Sequence, residues 1–374
     1  MNALFATSFT CLLSMAPTFF EIRLTATESK EGILVREGDV PVLFYQRKTK
    51  SLEGKYARAH YIHPLYDLNG NVLTEDFPPD HLHHRGIFWA WHQVWIGNQK
   101  IGDPWSIENF HWNVREAKIE QGNSGSIVLK TQIFWESPLW VDRDSQLKPL
   151  VKEDTAIEIY PTTENRRAID FTIRLQALES AMRIGGSEDI KGYGGFSTRI
   201  RLPKDITFLG KGGMVTPQNT PVIAGSWLDM LASFGSRPHI DGLSLHCHPT
   251  TPGYPQPWIL RSSGSMQNAV FPGNIAVPLK QDQPLIFRYR LVIHRGRRSI
   301  QQLESWQQDY ETIDSFLEAG ASFTAIQTTH RSSTPDSLSD AVSADHTVFG
   351  NLLQSRTTST LDHSLLQQSS KHCL

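Results

Sequence analysis

The sequence predicts an all-β protein, a large antiparallel β-sandwich closed by one C-terminal helix. Three observations carry that expectation. Apolar and polar residues alternate with period two through the body, turn residues interrupt them at short intervals, and helical periodicity occurs in a single stretch. With 374 residues, 39% of them hydrophobic, the chain is long enough to bury a large core in one or two domains.

Taken in chain order, Ile127, Leu129, Ile133 and Trp135 read as the buried side of one strand. Phe171, Ile173, Leu175 and Ala177 then face one way, against Asp170, Thr172, Arg174 and Gln176. In 285–293, Leu285, Phe287, Tyr289, Leu291 and Ile293 share a face, with Arg288 and Arg290 opposite. Strands with one wet face belong to antiparallel sheets, whereas buried parallel strands read as continuous apolar runs. Turns are expected at Asn69-Gly70-Asn71, at 122–125, in the glycine-rich 192–195 and 210–213, and in the proline-bounded 249–257. The helix is expected at 299–316. From residue 319 onward Ser, Thr, His and Gln dominate, and such a segment cannot bury enough apolar surface to offset its ordering entropy. The expected organisation is therefore an N-terminal extension over 1–31, a β-sandwich domain over 32–318 and a disordered Ser/Thr-rich tail over 319–374.

Charge excludes one class of partner. The 36 basic and 38 acidic residues give a net charge of -2 with no basic run, so no face is expected to neutralise nucleic-acid phosphates. Cys11, Cys247 and Cys373 are too few and too scattered for a disulfide framework. The apolar stretch 3–16 has the length of a signal-peptide core, but no Lys or Arg precedes it. A cytoplasmic location is expected, with export the alternative. No other apolar window reaches the roughly 18 residues of a membrane span.

The chemistry concentrates in Pro78-Pro79-Asp80-His81-Leu82-His83-His84-Arg85-Gly86-Ile87-Phe88-Trp89-Ala90-Trp91-His92. Histidine supplies a proton donor or acceptor near neutral pH and a neutral metal ligand, and arginine a planar fork for oxygens. His81, His83, His84 and His92 fall within 12 residues, beside Asp80 and Arg85. Trp89, Trp91, Trp95, Trp105 and Trp112 lie in the same region, and flat indoles beside polar side chains suit sugars. If 88–91 is a strand, Phe88 and Ala90 face one way and Trp89 and Trp91 the other, so about half of the rings are expected in the core.

A second pair, His246-Cys247-His248, follows Leu243 and Leu245 and puts both histidines on the face opposite Cys247. His81-Leu82-His83 repeats the spacing, and these four histidines are the candidates for a divalent metal, zinc or copper. Glu188-Asp189, before Lys191 and the glycines 192–195, offers a carboxylate for acid-base work or a solvated hairpin. No phosphate-binding glycine fingerprint and no nucleophile-elbow motif occurs.

Together these motifs resemble a family. His63-Pro64-Leu65, Asp76-Phe77-Pro78-Pro79-Asp80-His81 with His83-His84-Arg85-Gly86, the glycines 192–195 with Phe196, His248-Pro249, Pro257-Trp258 and Phe287-Arg288-Tyr289-Arg290 are similar to a bacterial family of unknown function labelled PmoA-like or "methane oxygenase". The resemblance runs from about residue 32 to 316. Leu82 stands where the family has proline, and Cys247 where it has aspartate before the histidine. The resemblance implies the antiparallel supersandwich of galactose mutarotases and other sugar-active proteins.

The expected function is action on, or binding of, a small-molecule or glycan substrate at a concave sheet face. His81, His83, His84 and His248 are the expected catalytic groups, dividing acid and base roles as a sugar isomerase, epimerase, lyase or hydrolase needs. Asp80, Arg85, Trp89, Trp91, His92 and Trp258 are the expected substrate contacts, with His84 and His248 sharing one pocket. The alternatives are a metal-dependent oxygenase and a non-catalytic glycan-binding module.

Overall fold

The structure, a computed structural model, describes residues 23–235 and 239–313. The signal-like stretch 3–16, the tail 319–374, Cys11 and Cys373 lie outside the described residues.

Alternation does what it predicts. Leu129, Ile133, Trp135, Phe171, Ile173, Phe287 and Tyr289 all point into one buried cluster. Their strands belong to an antiparallel sheet of nine, in the order His111–Gln121, Ile127–Val141, Leu147–Ile159, Arg166–Ala177, Leu285–Arg295, Asp241–Cys247, Trp227–Ala232, Thr207–Gly210 and Gly213–Met214. A second antiparallel sheet has eight strands, in the order Leu24–Glu28, Gly32–Glu37, Val40–Gln46, Tyr61–Leu65, Ile87–Trp91, Gly194–Thr198, Gln267–Val270 and Trp258–Ile259. Rings from the two sheets interlock between them: Trp89 against Phe171, Trp91 against Trp135, and Phe196 against Tyr289 at 4.6 Å. The protein is an all-β antiparallel sandwich with one C-terminal helix.

The sheet begins before residue 32. Leu24–Glu28 pairs antiparallel with Gly32–Glu37 and buries Leu24, so part of the expected N-terminal extension is an edge strand of the sandwich. The glycines 194 and 195, expected in a turn, open the strand Gly194–Thr198 instead. Here the missing side chains matter, because a Cβ on Gly194 would lie about 3.0 Å from two backbone neighbours.

The helix Ile300–Glu311 is shorter than its apolar periodicity suggested. Ser299 starts it with a capping box: its hydroxyl accepts from the Gln302 backbone N–H, and the Gln302 side chain accepts from the Ser299 N–H. Leu303, Gln307 and Tyr310, spaced four and three apart, face inward. The helix lies on the outer face of the nine-stranded sheet, where Gln307 meets His246 and Tyr310 meets His248.

Candidate functional site

The strand Ile87–Trp91 divides its side chains as period two requires. Trp89 and Trp91 enter the core between the sheets, while Phe88 and Ala90 join Tyr61, Trp105 and Met266 on the outer face of the eight-stranded sheet. Before this strand the chain folds over that outer face in two tight turns, closed by His81 N–H to the Pro78 carbonyl and His84 N–H to the His81 carbonyl. Gly86 then admits the chain to the sheet at φ 48°, where a Cβ would sit 1.9 Å from the Ile62 carbonyl oxygen. Only glycine fits that approach, which explains its place after the histidines.

These turns gather the rings into a row. His81 and His84 stack with centroids 4.6 Å apart, His84 meets Trp105 at 6.2 Å, and Trp105 stacks on His92 at 5.3 Å. His83 stands edge-on to both His81 and His84. Tyr193 closes on Trp105 at 5.5 Å, and its hydroxyl accepts from Arg261 at 2.7 Å.

Carboxylates stand at both ends of the row. Asp80 accepts from His81 Nδ1 at 2.7 Å, and Asp103 from His92 Nδ1 at 2.9 Å. Arg199 grips both oxygens of Asp80, at 2.6 and 2.8 Å. Burial opposes ionisation of Asp80, yet the Arg199 and His81 hydrogen bonds hold its carboxyl well below the usual range. An ionised carboxylate only accepts, so His81 Nδ1 donates the hydrogen bond and Nε2 is the ring nitrogen left to meet a ligand. Between the two pairs, burial and the neighbouring His81 and His92 push His83 down to about 4. Burial and His83 push His84 down to about 2, so both rings are neutral at pH 7. Exposure separates the roles: the His81 side chain is 42% and that of His92 21% open to solvent, whereas His84 is buried.

Several expected contacts belong to the scaffold. Arg85 is fully buried: it pairs with Asp76, donates to the Tyr56 carbonyl and the Tyr61 hydroxyl, and lies 3.6 Å over the Phe77 ring. Its donors are spent on protein, which corrects the substrate-fork reading. Trp89, Trp91 and Trp258 are corrected likewise, because each is in the core and donates its indole N–H to protein: to Glu153, the Phe271 carbonyl and the Gly225 carbonyl.

The shared pocket for His84 and His248 is corrected too. His246 and His248 do share a face opposite Cys247, but it is the outer face of the nine-stranded sheet, under the helix. His246 lies between Ser244 and Gln307, and His248 meets the Glu311 carbonyl at 3.3 Å. The whole sandwich therefore separates this pair from His81 and His83, and the four cannot ligate one ion. Among the described residues no three His, Cys, Asp or Glu side chains are grouped so as to hold a metal ion. Asp189 is a loop brace, accepting from the Ser187 hydroxyl and from the backbone of Lys191 and Gly192.

Asp103, Arg199, Tyr193 and Arg261 are the site residues that the sequence reading missed. Asp103 follows His92 by 11 residues in the next strand pair, a spacing that a hairpin reading would have brought together. Arg199 and Arg261 carry no sequence signal, since only the sheet order brings their segments beside the histidine turns. Among the described residues no helix is long and apolar enough to cross a membrane.

No curated protein matches the sequence. A family model matches residues 32–307, which takes in the histidine turns, every strand of the two sheets except Leu24–Glu28, and most of the helix. The chain belongs to a family of unknown function, DUF6807.

Proposed function

We propose that the outer face of the eight-stranded sheet acts on a carbohydrate-like, polyhydroxylated ligand by acid-base chemistry divided between His81 and His92. The observation that carries this reading is the pair of Asp–His dyads, Asp80–His81 and Asp103–His92, at the two ends of one row of rings. A carboxylate at Nδ1 fixes the tautomer and ring direction and leaves Nε2 as the working atom. Two such groups facing one ligand give a donor and an acceptor, which ring opening, epimerisation or elimination on a sugar requires. The neutral His83 supplies hydrogen bonds to hydroxyls, and Tyr193, held in place by Arg261, supplies stacking surface together with the imidazole faces.

An oxygenase reading, as the methane-oxygenase label implies, requires several ligands converging on one point. Among the described residues no three His, Cys, Asp or Glu side chains are grouped in that way. A non-catalytic glycan-binding module would use the same rings without needing either dyad.

A glycan panel screened for binding and for turnover tests the proposal, using wild type, His81→Gln and His92→Gln. The expected result is turnover of at least one sugar class, lost by about 10²-fold or more in each variant, with melting temperature retained. Binding without turnover in the wild type would replace the enzyme reading with the binding module. Neither binding nor turnover across the panel would overturn the carbohydrate assignment.

A further inference from the structure

On the opposite side of the sandwich the helix Ile300–Glu311 covers only part of the nine-stranded sheet. A cavity of about 320 Å³ opens between its flank and the strands Arg166–Ala177 and Leu285–Arg295. Trp306, Asp309 and Ile313 line it from the helix side, spaced three and four apart so that they form one wall. Ala168 and Val292 form the apolar floor, with Arg166 and Arg290 beside them.

The two arginines differ. Arg290 is committed to Asp170, with Nε and Nη2 donating at 2.6 and 2.7 Å. The Arg166 guanidinium lies 4.7 Å over the Trp306 ring, and among the described residues it makes no side-chain hydrogen bond or ion pair. Stacking occupies a guanidinium face and leaves its N–H edges pointing in the plane, ready for a bidentate oxygen pair. Burial of Arg166 pushes its pKa below the ordinary value, against the opposing charges of Asp309 and Glu164. The Asp309 side chain likewise makes no hydrogen bond or ion pair among the described residues, although its charge acts on Arg166. One cavity thus holds an uncommitted cation, an uncommitted anion, an indole and an aliphatic floor.

We propose that this cavity binds a zwitterionic α-amino acid with an apolar side chain, its carboxylate on Arg166, its ammonium on Asp309 and its side chain against Trp306, Ala168 and Val292. Charge complementarity selects that class. A simple carboxylic acid would satisfy Arg166 but approach Asp309 with like charge, and a simple amine would meet the reverse conflict. The volume is at the lower end of the roughly 300–1,000 Å³ range of small-molecule sites, which suits one amino acid and not a nucleotide or a peptide. The cavity is independent of the histidine site, since the full thickness of the sandwich lies between them.

Calorimetric titration of the full chain with L-phenylalanine, L-leucine, 3-phenylpropionate and phenethylamine at neutral pH tests this, with Trp306 fluorescence as a second readout. L-phenylalanine is expected to bind at least tenfold more tightly than either singly charged analogue. Arg166→Gln and Asp309→Asn are each expected to weaken it at least tenfold. Asp309→Asn breaks no side-chain hydrogen bond or close ion pair among the described residues, so it keeps the test open if Arg166→Gln folds poorly. In Asp309→Asn, 3-phenylpropionate should bind as well as or better than it does to wild type. Failure of both amino acids to bind, equal binding of 3-phenylpropionate, or wild-type affinity in Asp309→Asn would overturn the proposal.

Discussion

His60 Nε2 donates to Glu153 at 2.7 Å in the middle of the sandwich, and neither side chain reaches solvent. Glu153 also accepts from Trp89, Trp135 and Thr155, so one carboxylate joins donors from both sheets. Burial opposes its ionisation, but His60 and the indole N–H groups hold its pKa below the ordinary value. Glu153→Ala strands these donors at once and should cost about 3–5 kcal/mol in urea unfolding. An alanine variant within about 1 kcal/mol of wild type would remove the clamp role from Glu153.

Arg85 makes a comparable test on the other face. Its partner Asp76 is nearly buried and keeps only Lys50 and a long hydrogen bond from the Tyr61 hydroxyl if the guanidinium is lost. Arg85→Ala should therefore destabilise the fold by about 3 kcal/mol, and Arg85→Lys by less, because charge survives but the fork to Tyr56 and Tyr61 does not. Chemical denaturation of both variants measures the order. Unchanged stability in Arg85→Ala would mean that the guanidinium is free for a ligand after all.

At the candidate site the sign of one titration is fixed by Arg199. Its two hydrogen bonds to Asp80 hold that carboxyl below the ordinary range, and lysine supplies only one donor point. Arg199→Lys should raise the Asp80 midpoint toward about 4. NMR titration of the Asp80 carboxyl carbon and the His81 ring reads the shift. An unmoved midpoint would assign the effect to His81 alone.

Alternation and turn residues made the sandwich legible, because a strand with one wet face writes its orientation into every second residue. That is why Leu243, Leu245 and Cys247 fall in the core and Trp89 and Trp91 oppose Phe88 and Ala90, as read. The local part of the site was legible for the same reason: His81, His83 and His84 are close in sequence, and the turns that stack them are short. Sheet order was not. Which outer face receives 246–248, and which segment brings Arg199 to Asp80, depends on crossovers that no local pattern encodes. Arg85 was misread because a guanidinium that forks a ligand and one that forks Asp76 and Tyr61 have the same sequence signature; burial alone separates them.

His246 should make the fold sensitive to mild acid. It is sealed between the sheet and the helix, and burial pushes its pKa down to about 3. Its unfolded value is about 6.5, so between about pH 6.5 and pH 3 the unfolded chain binds a proton that the folded chain refuses. Stability therefore rises with pH across that window, is fully present above about 6.5 and is lost as pH falls. His63, His83 and His84, all pushed down chiefly by burial, add in the same direction. For His246 alone the loss at pH 5 should be on the order of 2 kcal/mol. Urea unfolding at pH 7 and pH 5 measures it, with His246→Gln as the control that keeps polar contact with Ser244 and Gln307 but cannot titrate. The variant should be less stable than wild type at pH 7 and lose less on acidification. An identical pH slope in the two proteins would mean that folded His246 accepts the proton as readily as the unfolded chain does.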